Sequence, residues 1–254
     1  MTPESALAEL EALGNPEGAI GMASYHKVPR RYLGIAVPAL TELSREWRKV
    51  LTLEERLALA SSLWSTDIHE ARVLAAKLLE QARIHPDDAG AWALIASWVP
   101  DFDAWAIADH VSISGQKRLV ADPSRIDEVE GWTTSDHMWT RRAALVMTLP
   151  WTKQNNPSAL DLEIRDRVLG WAAGYVPDRD WFIQKSIAWW LRELSRHDPD
   201  RTRAFLAEHG AGMKPFAVKE AGRHLAAGPE IPELQDPDAE TPGAEWPTTG
   251  TPDN

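Results

Sequence analysis

Helical periodicity recurs along almost the whole chain, and this pattern limits the possible folds more than any other feature. Helix-start signals are frequent, among them Pro3-Glu4, Thr52 followed by Glu55, and Pro157-Ser158. Alternating runs rich in Val, Ile and Thr are nearly absent, so we expect no strands. The predicted helices cover residues 3–13, 38–49, 53–65, 67–83, 87–98, 101–112, 123–130, 136–149, 158–174, 179–196, 199–208 and 214–226.

The predicted helices are arranged in pairs joined by short connections. Residues 53–83 show this pattern best, and similar pairs recur near 136–174 and 179–208. A spacing of about 40 residues per pair is typical of HEAT-like repeats. Stacked repeats curve and expose the same helix of each pair. The sequence therefore predicts an all-α, curved solenoid of antiparallel helix pairs with a concave face over residues 1–227.

Residues 228–254 have a different composition, and we expect a disordered acidic tail there. They carry seven acidic residues and no Lys or Arg, with prolines at 229, 232, 237, 242, 247 and 252. The formal charge of the chain is −11, so removal of this segment leaves −4. Any surface that binds nucleic acid must therefore be a local concentration of cations. A solvated extension without a role and a competitor for a basic groove are both open.

The amino-acid composition limits the cellular compartment and the cofactors that we expect for this chain. The chain has no cysteine, which excludes disulfides and thiolate metal ligands. Its acidic start lacks the features of a signal peptide, and no apolar run reaches membrane-spanning length. We therefore expect a cytoplasmic protein without a membrane partner. The eight histidines form no convincing metal motif, and no phosphate-binding loop is present, so we expect no metal and no cofactor.

The predicted helix over 179–196 combines indoles with cations. Trp181, Lys185 and Trp189 are spaced four residues apart and share one side of a helix, with Arg192 one turn further on. Such a face is costly to bury, and it suits a flat, negatively charged partner such as nucleic acid. A core position for Trp189 is the alternative, whereas Trp190 points about 100° away and is predicted to be core.

Three further segments mix aromatic rings with charges, and they converge on one face if the helices stack. Trp105 and Asp109 lie one turn apart, although a buried indole beside a solvated carboxylate is also an ordinary arrangement. Arg141 and Arg142 are adjacent and cannot share a face; Arg142 is predicted to be functional and Arg141 to be solvated. Trp139 is the aromatic residue of the segment that carries these two arginines. In the segment 25–32, the aromatic and basic residues are Tyr25, His26, Lys27, Arg30, Arg31 and Tyr32.

Several strings occur in one order at suitable spacing and together resemble the AlkD-like DNA alkylation repair proteins, which are bacterial DNA glycosylases built from HEAT-like repeats. The resemblance covers about residues 20 to 226, and its most specific part is the last string. The strings are Met22-Ala-Ser-Tyr25, Tyr32-Leu-Gly-Ile35, Trp105-Ala-Ile-Ala-Asp109, Met138-Trp-Thr-Arg-Arg-Ala-Ala144 and Trp181-Phe-Ile-Gln-Lys-Ser-Ile-Ala-Trp-Trp-Leu-Arg-Glu193.

The resemblance implies an activity: hydrolysis of the N-glycosidic bond of cationic N3- and N7-alkylated purines, chiefly 3-methyladenine and 7-methylguanine, in double-stranded DNA. It assigns Asp109 as the catalytic carboxylate and places Trp105 and Trp189 on either side of the lesion nucleotide. Arg142 matches an arginine near the lesion strand, and Tyr25 an aromatic that supports the groove. The further DNA-binding candidates, by position and charge or by their place on the helix face, are Lys27, Arg30, Arg31, Trp181, Lys185 and Arg192.

The chemistry fits these residue types. A cationic alkylpurine is already a good leaving group, so the enzyme mainly needs to stabilise an oxocarbenium-like sugar, which a carboxylate near C1′ can do. Indole faces attract cations by roughly 0.5–2 kcal/mol each. No lysine replaces Asp109, so we expect a monofunctional enzyme without a lyase step. We also expect the protein to be a monomer.

Two departures and two alternatives remain. The usual family pattern is broken at two places: the string from Lys27 to Arg31, with its proline and two arginines, and Ala104 before Trp105. The range of lesions and the packing behind the site are therefore open.

A non-catalytic repeat protein that binds distorted or branched DNA is the main alternative function, and the presence of Asp109 disfavours it. A protein-binding HEAT scaffold is the other.

Overall fold

The computed structural model describes residues 1–225, and within them the chain folds into thirteen α-helices. Their bounds are α1 Pro3–Ala12, α2 Pro16–His26, α3 Val37–Val50, α4 Leu53–Ser65, α5 His69–Leu78, α6 Ala89–Trp98, α7 Trp105–Ala121, α8 Ile126–Trp132, α9 Met138–Met147, α10 Ala159–Tyr175, α11 Trp181–Ser195, α12 Pro199–His209 and α13 Pro215–Ala221. No strand forms in this part of the chain, where an isolated bridge between Arg31 and Ile68 is present. The all-α prediction is confirmed.

The helices pack in two layers. In the first layer α3, α5, α7, α9, α11 and α13 follow one another, each in contact with the next. The second layer contains α4 and α6, which pack on each other, and α10 and α12, which do the same. Neighbours in sequence join the layers, as α4 does with α5 and α6 with α7. This is the pairing expected of HEAT-like repeats, while the curvature of the stack stays a prediction.

Capping and burial explain why the helices form where they do. Thr52 accepts a hydrogen bond from the Glu55 backbone N–H, and the Glu55 side chain accepts one from the Thr52 N–H at the start of α4. Ser158 and Asp161 form the same reciprocal cap on α10. In α11 the buried positions recur with helical spacing, and Trp190 is 0% exposed. The prediction that Trp190 is core is confirmed.

Helix α2 was absent from the sequence prediction. It contains no fully buried residue, so it lacks the apolar periodicity on which that prediction depended. Gly18 and Gly21 lower its helical propensity further. The helix starts instead from local signals: Pro16 occupies its first turn, and the Asn15 side chain accepts a hydrogen bond from the Gly18 N–H at 3.1 Å.

Helix α7 extends to Ala121, beyond the predicted end at 112. Its second half buries polar side chains that interrupt the apolar pattern. Ser114 donates to the Ala76 carbonyl at 2.7 Å, and the buried Arg118 donates to Asp88 at 2.9 Å. Gly115 permits the close approach of α9, because a Cβ there would lie 2.4 Å from Sδ of Met147. Helix α5, by contrast, ends five residues before its predicted end at 83.

One buried carboxylate attaches the segment between α2 and α3 to the helical stack. Glu70, at the start of α5 and 0% exposed, accepts hydrogen bonds from the backbone N–H groups of Leu33, Gly34 and Ile35 at 2.9, 2.7 and 3.3 Å. Gly34 has φ +78, and a Cβ there would lie 2.1 Å from the Asn15 carbonyl oxygen. This attachment holds the segment that follows α2 against the start of α5.

Within the described residues, none of the helices combines the length and the apolar character needed to cross a membrane. The predicted acidic tail at 228–254 lies outside the described residues. The same holds for residue 226, the predicted end of the last helix; α13 ends at Ala221.

Candidate active site and nucleic-acid interface

The candidate catalytic carboxylate is held by a buried arginine. Arg142 on α9 donates from Nη1 to Oδ1 of Asp109 on α7 at 2.6 Å. The Arg142 side chain is 1% exposed and that of Asp109 is 14% exposed. The second carboxylate oxygen, Oδ2, is buried without a hydrogen-bond partner among the described residues. One oxygen is therefore fixed by an ion pair, and the other is left with its hydrogen-bonding capacity unused.

The surroundings of Asp109 change its acidity. Burial raises the pKa of the Asp109 carboxyl above its usual range, and the Arg142 guanidinium limits this rise. A carboxylate in such a poorly hydrated position interacts strongly with any positive charge that comes close to it, because little water screens the interaction.

Trp105 begins α7, one turn before Asp109, and aromatic side chains from α2 lie against it. The Tyr25 ring makes an edge contact with Trp105, with 5.9 Å between centroids and an interplanar angle of 84°. The His26 ring lies 5.5 Å from Trp105. The structure thus brings Tyr25 against Trp105, which lies 80 positions later in the sequence and one turn before Asp109.

Three histidines lie close to this group. His26 stacks on His69 with 4.6 Å between centroids, and burial lowers the pKa of His26. Burial, together with nearby cations, lowers the pKa of His69 to about 3 and that of His110 to about 4. These side chains are therefore neutral at physiological pH, and His26, whose ring contacts both Tyr25 and Trp105, adds no charge to that contact.

A row of aromatic rings runs from α9 over α11 to α13. Trp139 contacts Phe182 with 4.6 Å between centroids, Phe182 meets Trp181 at 5.0 Å, and Trp181 stacks on Phe216 at 5.7 Å with an interplanar angle of 22°. Cations lie over two of these rings: Arg142 over Trp139 at 5.7 Å and Lys185 over Trp181 at 6.0 Å. The predicted proximity of Trp181 and Lys185 on α11 is therefore observed, and the row connects them to the Asp109–Arg142 pair.

Glu220 on α13 organises the cations of α11. Its carboxylate accepts a short hydrogen bond from Nη1 of Arg192, lies 3.9 Å from Nζ of Lys185 and pairs with Arg223 at 2.8 Å. Burial lowers the pKa of Lys185, and Glu220 opposes that change. Lys185 and Arg192 thus lie together, as predicted, although a carboxylate already neutralises part of their charge.

The remaining predicted residues occupy different environments. Trp189 is partly exposed and packs against the edge of the core one turn after Lys185. Lys27 is exposed and ends α2 in a left-handed conformation, and Arg31 is exposed and pairs with Glu11 at 2.8 Å. Arg30 differs from these residues. Its side chain is 1% exposed and interacts with Asp67 at 3.2 Å and closely with Asp103, which leaves little of it for a phosphate.

The structure also shows partners that the sequence reasoning missed. Arg141, predicted to be solvated, instead pairs with Asp178 at 2.8 Å and donates to the Ser135 carbonyl. Asp178 comes from the segment between α10 and α11, and Ser135 from the turn before α9. Glu70 and Glu220 were not singled out either. Both act across more than 25 residues of sequence, so no local spacing reveals them. Among residues 1–225, no group of three His, Asp or Glu side chains is placed to hold a metal ion.

The fold and this site define a class of protein: a two-layer array of helix pairs with a carboxylate, indoles and cations along one row of helices. Comparison with known proteins agrees with that class. The family model for the DNA alkylation repair enzyme matches residues 6–225. The chain therefore belongs to the DNA alkylation repair enzyme family.

Solved structures share the fold. A structure described as a predicted DNA alkylation repair enzyme from Enterococcus faecalis has a TM-score of 0.72 and 21% identity, covering 85% of this chain and 98% of that one. AlkD2 from Streptococcus mutans has a TM-score of 0.61 and 16% identity, covering 89% and 100%. The protein smu.31 from Streptococcus mutans UA159 has a TM-score of 0.57 and 19% identity, covering 74% and 92%. No protein of curated function matches the sequence.

Proposed function

We propose that this member of the family is a monofunctional DNA glycosylase, which acts as a monomer on double-stranded DNA and hydrolyses the N-glycosidic bond of cationic N3- and N7-alkylated purines. The observation that carries the proposal is the state of Asp109. Its Oδ1 is fixed by Arg142, while its Oδ2 is buried and has no hydrogen-bond partner among residues 1–225.

The carboxylate suits a reaction that develops positive charge on a sugar. As the bond to an alkylated purine lengthens, the cationic base takes up the bonding electrons and leaves as a neutral molecule, and the deoxyribose becomes oxocarbenium-like. A pre-oriented, poorly hydrated carboxylate stabilises that charge without reorganising, and it can also orient the water that attacks C1′. The ion pair with Arg142 favours the ionised form of Asp109 and so opposes the effect of its burial.

Indoles supply the second requirement, which is to hold a cationic nucleotide beside the carboxylate. Trp105 lies one turn before Asp109 and is positioned by Tyr25. Trp189 lies on α11, which packs on α9, the helix that carries Arg142. In this proposal the two indoles flank the lesion nucleotide and favour its cationic form over a neutral base.

The DNA backbone would be bound by cations from the segment that follows α2 and from α11. Lys27 and Arg31 are exposed near the Tyr25–Trp105 contact, and Lys185 and Arg192 lie together on α11. Trp181 contributes a ring beside Lys185. Arg30 has a structural role in this proposal, because its buried side chain joins the segment after α2 to Asp67 and Asp103.

Base release from a defined substrate tests the proposal. The purified protein is incubated with a duplex that contains a single 7-methylguanine, and the released base is measured by chromatography. We expect release by the native protein and a loss of at least about 10²-fold with Asp109→Asn, the order of effect of removing one transition-state electrostatic partner. Asp200→Asn is the matched control, since Asp200 is exposed on α12, and it should leave release unchanged.

Two outcomes contradict the proposal. Unchanged release with Asp109→Asn removes the assigned role of the carboxylate. Tight binding of methylated or branched duplexes without any base release points to the alternative, a non-catalytic protein that binds distorted DNA. Thermal denaturation of Asp109→Asn shows separately whether the variant is folded.

A further inference from the structure

A cationic cleft lies away from Asp109, toward the C-terminal end of α7. Helix α5 lies between α3 and α7 and ends at Leu78, so the segment after it and the two flanking helices enclose a gap. The cleft has a volume of about 590 Å³. The charged side chains that line it are Arg45 and Arg48 of α3, Glu80 and Arg83 of the segment after α5, and Lys117 of α7.

The charge balance of the cleft favours an anion. Four cations face one carboxylate, and that carboxylate, Glu80, lies 3.7 Å from Nζ of Lys77 outside the lining. Arg45 pairs with Glu42 at 3.2 Å in an exposed contact of little strength. Arg83 and Lys117 are exposed and, within residues 1–225, form no ion pair. Arg48 has a structural role, because it donates to the Lys77 carbonyl at the end of α5. No such role explains the positions of Arg83 and Lys117.

The position of the cleft relative to Asp109 suits a continuous polyanion. Lys117 follows Asp109 by eight residues on α7, which corresponds to about 12 Å along the axis and about 80° around it. Both side chains therefore belong to the same half of the helix surface. Each strand of DNA carries one phosphate per about 3.4 Å of axis, so about 12 Å spans three to four phosphates.

We infer that this cleft binds the phosphate backbone of DNA on the flank of the lesion, several nucleotides away from the nucleotide that Asp109 addresses. The inference rests on the DNA-binding part of the proposed function but not on catalysis. The ligand class is a phosphodiester chain. A free phosphate-bearing molecule shares its chemistry, and the experiment separates the two.

The test measures how binding of an unmodified 20-base-pair duplex depends on salt, for the native chain and for the double variant Arg83→Gln/Lys117→Gln. Each phosphate contact contributes about 0.9 to the slope of log K against log salt. We expect the double variant to lower the slope by about 1.8, so that the native protein loses about tenfold more affinity than the variant between 50 and 200 mM salt. Lys153→Gln/Arg203→Gln removes two exposed cations elsewhere and should leave the slope unchanged.

A variant that is expected to strengthen duplex binding distinguishes the loss of phosphate contacts from a loss of binding caused by misfolding. Glu80→Gln removes the carboxylate from the cleft, and we expect it to raise duplex affinity several-fold at low salt. In a parallel arm, the thermal stability of the native protein and of Arg83→Gln/Lys117→Gln is compared in inorganic phosphate and in chloride at equal ionic strength.

The outcomes are distinct. An unchanged slope in the double variant overturns the inference. If the slope is unchanged and phosphate stabilises the native protein but not the double variant, the cleft holds a small free anion and the DNA assignment is wrong. Because the duplex carries no lesion, a failure of base release leaves this result standing. Absence of any salt-dependent duplex binding by the native protein overturns both proposals.

Discussion

Arg142 donates a hydrogen bond to Asp109 over 2.6 Å, and this contact joins α9 to α7 at the candidate catalytic carboxylate. The two residues lie 33 positions apart in the sequence. The guanidinium is almost fully buried, so water cannot take the place of the Asp109 carboxylate if that carboxylate is removed. In the proposed function, stability and activity therefore depend on the same pair.

Substitution of Arg142 by Gln is expected to destabilise the protein by about 3 kcal/mol, because it leaves the Asp109 carboxylate buried without its counter-charge. Urea denaturation followed by tryptophan fluorescence measures the change. The control Arg203→Gln removes an exposed arginine and should change stability by less than about 0.5 kcal/mol. Equal effects of the two substitutions would show that the buried pair does not stabilise the fold.

Base release is expected to fall at acidic pH through an apparent pKa above the usual range for aspartate. Burial raises the pKa of Asp109, so protonation removes its charge at a higher pH than in a solvated aspartate. Single-turnover rates between pH 4 and 8, corrected for spontaneous depurination, give this profile. If the rate shows no acidic limb within this range, which lies above the ordinary value of about 3.9, the assignment of Asp109 as the ionised group is wrong.

Stability is expected to decrease as the pH falls below 6.5. In the folded protein the pKa values of His69 and His110 are lowered to about 3 and about 4, so the unfolded chain binds protons that the folded chain does not. The stability these neutral rings contribute is complete above 6.5 and lost as the pH falls toward the folded values. At pH 5 the loss is about 2 kcal/mol for each histidine.

Urea denaturation at pH 7.5 and pH 5.0 checks this effect, with His69→Gln as the diagnostic variant. The variant should lose about 2 kcal/mol less than the native protein between the two pH values. His85→Gln, at an exposed position, serves as the control. An identical decrease in the native protein and His69→Gln would assign the pH dependence to other groups.

Substitution of Glu70 by Gln is expected to loosen the segment between α2 and α3 and to cost about 2–3 kcal/mol. A Gln amide cannot accept from Leu33, Gly34 and Ile35 with two oxygens, so at least one buried N–H loses its partner. Hydrogen exchange measures the protection of these three amides. The exposed Glu17→Gln should leave it unchanged, whereas retained protection in Glu70→Gln would contradict the role of this carboxylate.

The fold was largely predictable because most helices bury one regular apolar face. Trp190 illustrates this, since its place in the core follows from the period of α11 alone. Helix α2 was not predictable in this way, because no residue of it is fully buried and its start depends on Asn15 and Pro16. The second half of α7 was not predicted for a related reason: it buries Ser114 and Arg118, whose partners come from other parts of the chain.

The candidate site was predictable as a set of residues but not as a geometry. Helical spacing placed Trp105 one turn from Asp109 and Lys185 one turn from Trp181. The partners of these groups come from distant parts of the chain, and helical spacing is silent about such contacts. Arg142 meets Asp109, and Glu220 meets Lys185, only through the packing of neighbouring helices in the first layer.

The attachment formed by Glu70 has a consequence for how this part of the chain tolerates change. The carboxylate bonds to three consecutive amide groups and to none of their side chains. Replacement of Leu33 or Ile35 by another apolar residue therefore leaves these bonds in place. Insertion or deletion of a single residue shifts the amides out of reach and moves Tyr25 away from Trp105. The distance between the first aromatic residue of the site and the carboxylate helix is thus set by the length of this segment and by its glycine, Gly34, rather than by the apolar side chains on either side of that glycine.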